Sequence, residues 1–229
     1  MIHGFNEGKQ LKEELLSSIS NTANGKNASP EIQSKVLSIV RQLETEYPTP
    51  DDLLSNPSSV KELDGVWYLQ YTSPSVIGEE EQDAWKAVEA TEGVNIPTNQ
   101  IQSKGSVSAS GITVDTSNRV TKQIFDIQNS KVSNEIQIND ATTVRVAGSF
   151  RVSEKVPIRA VVSFEEVDFI FENGFTLKLG VLFSLLALVR GTSENGWLET
   201  TFLDEEVRIG RGNKGSMFVL TRDYDAVTP

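Results

Sequence analysis

The sequence predicts a mainly β protein, an antiparallel barrel or sandwich, preceded by helices. Three observations carry this. Apolar residues alternate with period two in segment after segment between Gly65 and Arg222. The connections between most of these segments are short, and short connections force antiparallel neighbours, because parallel strands need long crossovers. The first 60 residues instead carry helical spacing.

Leu11, Leu15, Leu16 and Ile19 line one face of a first helix. The polar stretch from Asn21 to Asn27, with Gly25, is a loop. Ser29 is an N-cap for a second helix, Pro30 fits its first position, and Glu31 favours the positive end of its dipole. Ile32, Val36, Leu37, Ile39, Val40 and Leu43 give it an apolar face, and Tyr47-Pro48-Thr49-Pro50 stops it. Asp51 to Leu54 forms one further turn. Residues 1–60 are therefore expected to be a helical appendage and residues 61–229 the β domain.

Gly65, Trp67, Leu69 and Tyr71 fall on one face of the first strand. Further strands are expected over 112–115, 119–128, 131–138, 144–152, 197–203, 207–211 and 216–222. Ile158, Ala160, Val162 and Phe164 form another row, which then jumps phase to Val167, Phe169 and Phe171. One extra residue at Glu165-Glu166 accounts for the jump, the signature of a β-bulge. The run from Glu79 to Asp83 leads into Ala84–Val88 and suits a short helix, where a barrel would carry a lid.

Composition narrows the function. The 229 residues contain no cysteine and one histidine, His3, which excludes disulfides and a multi-histidine metal site and argues against a Ser-His-Asp triad. A net charge of −11 argues against nucleic acid, whose phosphates need basic partners. The longest apolar run, Leu179 to Val189, is far short of the roughly 20 residues a spanning helix requires. The opening MIHGFNEGKQ resembles neither a secretion signal nor an arginine-rich transit peptide.

The motifs that could carry chemistry read mostly as structure. Gly210-Arg211-Gly212-Asn213-Lys214-Gly215 matches G-x-G-x-x-G, but a strand follows it where a dinucleotide site needs a helix, so it is a tight hairpin. Arg208, Arg211 and Lys214 make that corner basic, either as a solubilising edge or as a contact for an anionic head group or acidic partner. Asp204-Glu205-Glu206 gathers three carboxylates in a turn, and an enzyme built on Asp204 or Glu206 is the weakest reading. Phe125, Phe150, Phe164, Phe169, Phe171, Phe202 and Phe218 all lie in expected strands. They either fill a core or line a cavity for an apolar ligand.

Two stretches carry a family resemblance. Leu63-Asp64-Gly65-Val66-Trp67-Tyr68-Leu69-Gln70-Tyr71-Thr72-Ser73 is similar to the L-x-G-x-W-x-L-x-Y-T-S of the plastid lipid-associated proteins, or fibrillins. The block from Gly196 to Leu220, with Trp197, Asp204, Arg208, Arg211, Gly212 and Gly215, resembles that family's C-terminal block, with Phe202 where tyrosine is usual. The resemblance implies a lipocalin-like barrel. Gly65-Val66-Trp67 is similar to the lipocalin G-x-W, whose tryptophan plugs one barrel end beneath an arginine of the last strand. Arg222, which shares a face with Phe218 and Leu220, is the matching arginine.

The resemblance further implies a non-enzymatic carrier of hydrophobic small molecules, such as carotenoids, prenylquinones or fatty acids, with no cofactor. It places the chain at thylakoid or plastoglobule surfaces and links it to protection under light stress. The expected cavity residues are Tyr71, Phe125, Phe150, Phe164 and Phe169. The start of the chain points to a cyanobacterial protein, cytoplasmic or peripheral on the thylakoid, or to a mature plastid form. The rival expectation is a barrel filled by its own side chains that docks a protein partner, such as a prenyl-diphosphate enzyme, or a membrane surface.

Overall fold

The computed structural model describes residues 2–74, 106–109, 112–115, 117, 119–179, 196–212 and 215–227. The Glu79–Asp83 run, Lys214 and all but the first residue of Leu179–Val189 lie outside them. Helix α1 spans Ile2–Ile19 and α2 spans Pro30–Glu46. Ser29 caps α2 by accepting a hydrogen bond from the Ile32 amide at 3.3 Å, and Pro30 occupies its first turn. The chain leaves α2 at Tyr47, ahead of Pro48. A single turn, α3 at Val60–Leu63, leads into the sheet.

The strands are β1 (Gly65–Pro74), β2 (Ser106–Ala109), β3 (Ile112–Asp115), β4 (Thr121–Asp126), β5 (Lys131–Asn139) and β6 (Thr142–Val152). They continue with β7 (Arg159–Phe171), β8 (Thr176–Lys178), β9 (Gly196–Leu203), β10 (Val207–Gly212) and β11 (Ser216–Thr221). Eight close into an antiparallel barrel in the order β6-β5-β4-β1-β11-β10-β9-β7, with β7 pairing back onto β6. The barrel resolves the choice between sandwich and barrel that alternation alone leaves open. Strand β8 adds to β7, and β2 with β3 forms a separate hairpin.

Two cores share the barrel wall. The inner one gathers Trp67, Leu69, Phe125, Val132, Ala160, Val162 and Leu220, with Leu53, Leu54 and Leu63 beneath them. The outer one packs α1 and α2, through Leu15, Ile19, Val36, Val40 and Leu43, onto Phe202, Val207, Ile209, Met217 and Val219 of β9–β11. The strands β1 and β9–β11 are thus apolar on both faces, whereas β4–β6 present polar residues such as Lys122, Glu135 and Arg145 outward.

Two bulges set which residue faces which core. In β7, Ala147 of β6 pairs with Glu166 and Gly148 with Phe164, so Glu165 is the extra residue, as the phase jump predicts. In β1, Leu69 pairs with Leu220 and Tyr71 with Val219, so Gln70 is extra. This corrects the expectation that Tyr71 continues the face of Trp67 and Leu69. Past Gln70 the parity inverts, Tyr71 joins the helix-facing core, and Thr72 turns inward opposite Phe218.

The loop between α1 and α2 is clamped to β1. Thr72 donates its amide to the Asn24 carbonyl at 3.1 Å. Gly25, at φ +96°, lies so close that a Cβ would sit 2.3 Å from the Thr72 carbonyl oxygen, so both conformation and space require glycine here.

Candidate functional site

One end of the barrel is sealed by Trp67 and Arg222. The Trp67 indole is fully buried and donates to the Leu63 carbonyl at 2.9 Å, which ties it to α3. The Arg222 guanidinium lies 3.7 Å from the Trp67 ring centroid. It donates to the backbone carbonyls of Asp64 at 2.6 Å and Val66 at 3.4 Å, and also to that of Glu62. Gly65, at φ +97°, leaves room for this guanidinium, since a Cβ there would meet Nη1 at 3.1 Å. Burial lowers the Arg222 pKa, partly offset by Asp64.

Above this floor the inward positions of β4–β7 bring Phe125, Phe150, Phe164 and Phe169 to the lumen, with Val144, Val146 and Val167. Phe125 and Phe150 meet edge to face at 5.9 Å. Phe125 is fully buried, whereas Phe150, Phe164 and Phe169 point inward yet stay only half-buried. Tyr71 stands apart from these four on the other side of the wall, where burial raises its hydroxyl pKa.

Of the basic corner expected at Arg208, Arg211 and Lys214, the two described arginines point to opposite faces of the wall. Arg211 points outward to α2, where it makes a two-pronged ion pair with Glu44 at 3.0 and 2.7 Å. Arg208 points inward. It pairs in register with Leu220 and Leu203, and is 1% exposed. Its Nε donates to Thr200 Oγ1 at 3.1 Å, and its Nη1 donates to Gln123 Oε1. Gln123 Nε2 in turn donates to Asn134 Oδ1 at 3.0 Å. The guanidinium also lies 4.8 Å from the Phe125 ring centroid. Burial, and then the charge of Arg222, push its pKa down to about 9. Simple alternation could not reveal this inward arginine, because Val207 and Ile209 on either side are buried too.

The remaining residues of the C-terminal block make contacts within the fold. Asp204 accepts from the amides of Glu206 and Val207 at 2.9 and 2.8 Å and, with Glu206, holds Lys12 of α1 at 2.6 and 3.0 Å. Trp197 packs outward under Arg159, whose guanidinium is 4.0 Å from its ring centroid and pairs with Glu199 at 2.6 Å. Gly212 and Gly215 shape the β10–β11 hairpin, Gly215 at φ +67°. Among the described residues no group of His, Cys, Asp or Glu could hold a metal ion, and no helix is long and apolar enough to cross a membrane.

The molecule is therefore a closed eight-stranded antiparallel barrel, plugged at one end and backed by two helices. The PAP_fibrillin family model matches residues 9–221, and the chain belongs to that family. It is 28% identical to plastid lipid-associated protein 2 of Brassica campestris, over 97% of this chain and 71% of that one. It is 26% identical to the chromoplast-specific carotenoid-associated protein of Cucumis sativus, over 93% of this chain and 68% of the relative. A probable plastid-lipid-associated protein 2 of Arabidopsis thaliana is 26% identical, over 97% and 73%. No solved structure matches the chain.

Proposed function

We propose that this protein associates with lipid and holds a hydrophobic small molecule, an isoprenoid or acyl lipid, in the barrel lumen without acting as an enzyme. The observation that carries the reading is the state of the inward phenylalanines. Phe150, Phe164 and Phe169 face the lumen yet keep accessible surface, which a barrel filled by its own side chains would bury. Relatives named for carotenoid and plastid-lipid association support the same class of ligand. They also support association with plastid lipid. Binding would come from burial of apolar area, worth about 25 cal/mol per Å² before ordering costs.

Native mass spectrometry of protein purified from its own host, with solvent extraction of the same sample, tests this. A stoichiometric isoprenoid or acyl ligand is the expected result. A clean apo mass would overturn it in favour of a scaffold that docks a protein partner.

A further inference from the structure

Among the described residues, one charge in the lumen has no counter-ion. Arg208 is buried on β10, and no carboxylate among the described residues pairs with it. The inward positions of the eight strands, read from their registers, include no aspartate or glutamate. Two of its five N–H groups are used, on Thr200 and Gln123, and both acceptors are neutral. A buried cation left in this state costs several kcal/mol. Arg222 does not relieve it: it is a second cation, engaged by backbone carbonyls at the plug.

The surroundings of Arg208 form a pocket for an acceptor. Gly210 supplies no side chain at the next inward position of the same strand, and a Cβ there would come within 3.4 Å of Arg208 Nη2. The guanidinium therefore occupies the layer of inward residues that the registers define as Thr72, Phe218, Gly210 and Thr200. In that layer Thr72 is 1% exposed, and its Oγ1 is buried with no hydrogen-bond partner. A guanidinium with only neutral partners and a hydroxyl with none thus share one layer of the lumen.

We propose that Arg208 and Thr72 anchor the carboxylate of a long-chain monocarboxylic acid whose hydrocarbon lies along Phe150, Phe164 and Phe169. This inference rests on the lumen reading above and specifies the head group. Charge counting selects a carboxylate over a diphosphate. One guanidinium balances one negative charge, and the other polar neighbours, Gln123, Asn134, Thr200 and Thr72, are neutral. A diphosphate would leave excess negative charge in a lumen that offers no second free cation among the described residues. The planar guanidinium edge also matches a carboxylate with two parallel hydrogen bonds.

The test uses the full, delipidated chain and two probes, the fluorescent polyene fatty acid cis-parinaric acid and its methyl ester. The wild type is expected to bind the acid at least about tenfold more tightly than the ester, as a charge-assisted hydrogen bond predicts. Arg208→Met should bind the acid no more tightly than it binds the ester. Arg208→Lys should fall between, keeping charge but losing the fork. Thr72→Val, which preserves shape, should weaken the acid alone by about two- to fivefold, and it serves if the arginine variants fail to fold. Equal binding of acid and ester by the wild type, or unchanged acid affinity in Arg208→Met, overturns the head-group assignment while leaving the lumen reading intact. Failure of the wild type to bind either probe overturns the head-group assignment and the acyl form of the lumen reading, leaving its isoprenoid form to the mass spectrometry above.

Discussion

Replacing Arg222 with methionine removes the charge from the barrel plug and keeps an apolar stem over the indole. The wild-type guanidinium stacks 3.7 Å from the Trp67 ring centroid and donates to three backbone carbonyls, those of Glu62, Asp64 and Val66. The stacking contributes about 1 kcal/mol. A hydrogen bond from a charged donor contributes about 1.5–3 kcal/mol, and the three together amount to one at the lower end because the site is only half-buried and water replaces most of what is lost. The loss is therefore about 2–3 kcal/mol. For a chain of this size each kcal/mol moves Tm by about 2–4 °C, so the variant should melt about 4–12 °C lower. Arg222→Lys, which keeps the charge but not the plane or the second arm, should fall between. Thermal melts followed by circular dichroism read this directly. A Tm within about 1 °C of wild type in Arg222→Met would refute the view that this plug fastens α3 to the barrel.

Three further substitutions probe other joints. Gly148→Ala places a Cβ 2.0 Å from the Ser163 carbonyl oxygen, at the bulge where β6 meets β7. Neither backbone can yield without losing register, so denaturant titration should show a loss above about 3 kcal/mol. A double-mutant cycle with Glu44→Gln and Arg211→Met should return a coupling of about 1–3 kcal/mol, since both side chains are mostly buried; a coupling near zero would remove this pair from the docking of α2. Lys12→Met should cost below about 1 kcal/mol at neutral pH, because Glu206 is largely exposed. Burial lowers the Lys12 pKa, but Asp204 and Glu206 outweigh it and the net shift is above the ordinary 10.5. A base whose folded pKa is raised stabilises below its unfolded pKa, and that stability is lost as pH rises through the folded value. The gap between wild type and variant should stay constant to about pH 9 and close above about pH 10.5 in urea titrations.

Much of this architecture is legible in the sequence because one cause dominates at each place. Ser29-Pro30-Glu31 can cap only a helix, and the phase jump after Phe164 can be absorbed only by an extra residue. Tyr71 and Arg208 were not legible for one shared reason. Alternation identifies a buried face by contrast with an exposed one, and the contrast vanishes where helices cover the outside. Tyr71 is apolar enough for either core, so nothing in its type reports the inversion at Gln70. Arg208 lies between Val207 and Ile209, whose burial under α1 and α2 makes them look like the inward set. Phe125 and Phe150 lie on β4 and β6, where polar outward residues make the parity plain.

The same asymmetry gives the barrel one thick wall and one thin one. Opening β9–β11 requires disrupting two apolar cores at once, whereas among the described residues β4–β6 are held by their ladder hydrogen bonds and the inner core. Amide exchange should therefore be slowest in β10 and β11 and fastest in β5 and β6. Compliance then has a direction. Of the half-buried phenylalanines, Phe150 sits on the thin wall, which can give way around a bulky chain, and Phe164 and Phe169 on the adjoining β7, while Arg208 is anchored in the wall that stays still.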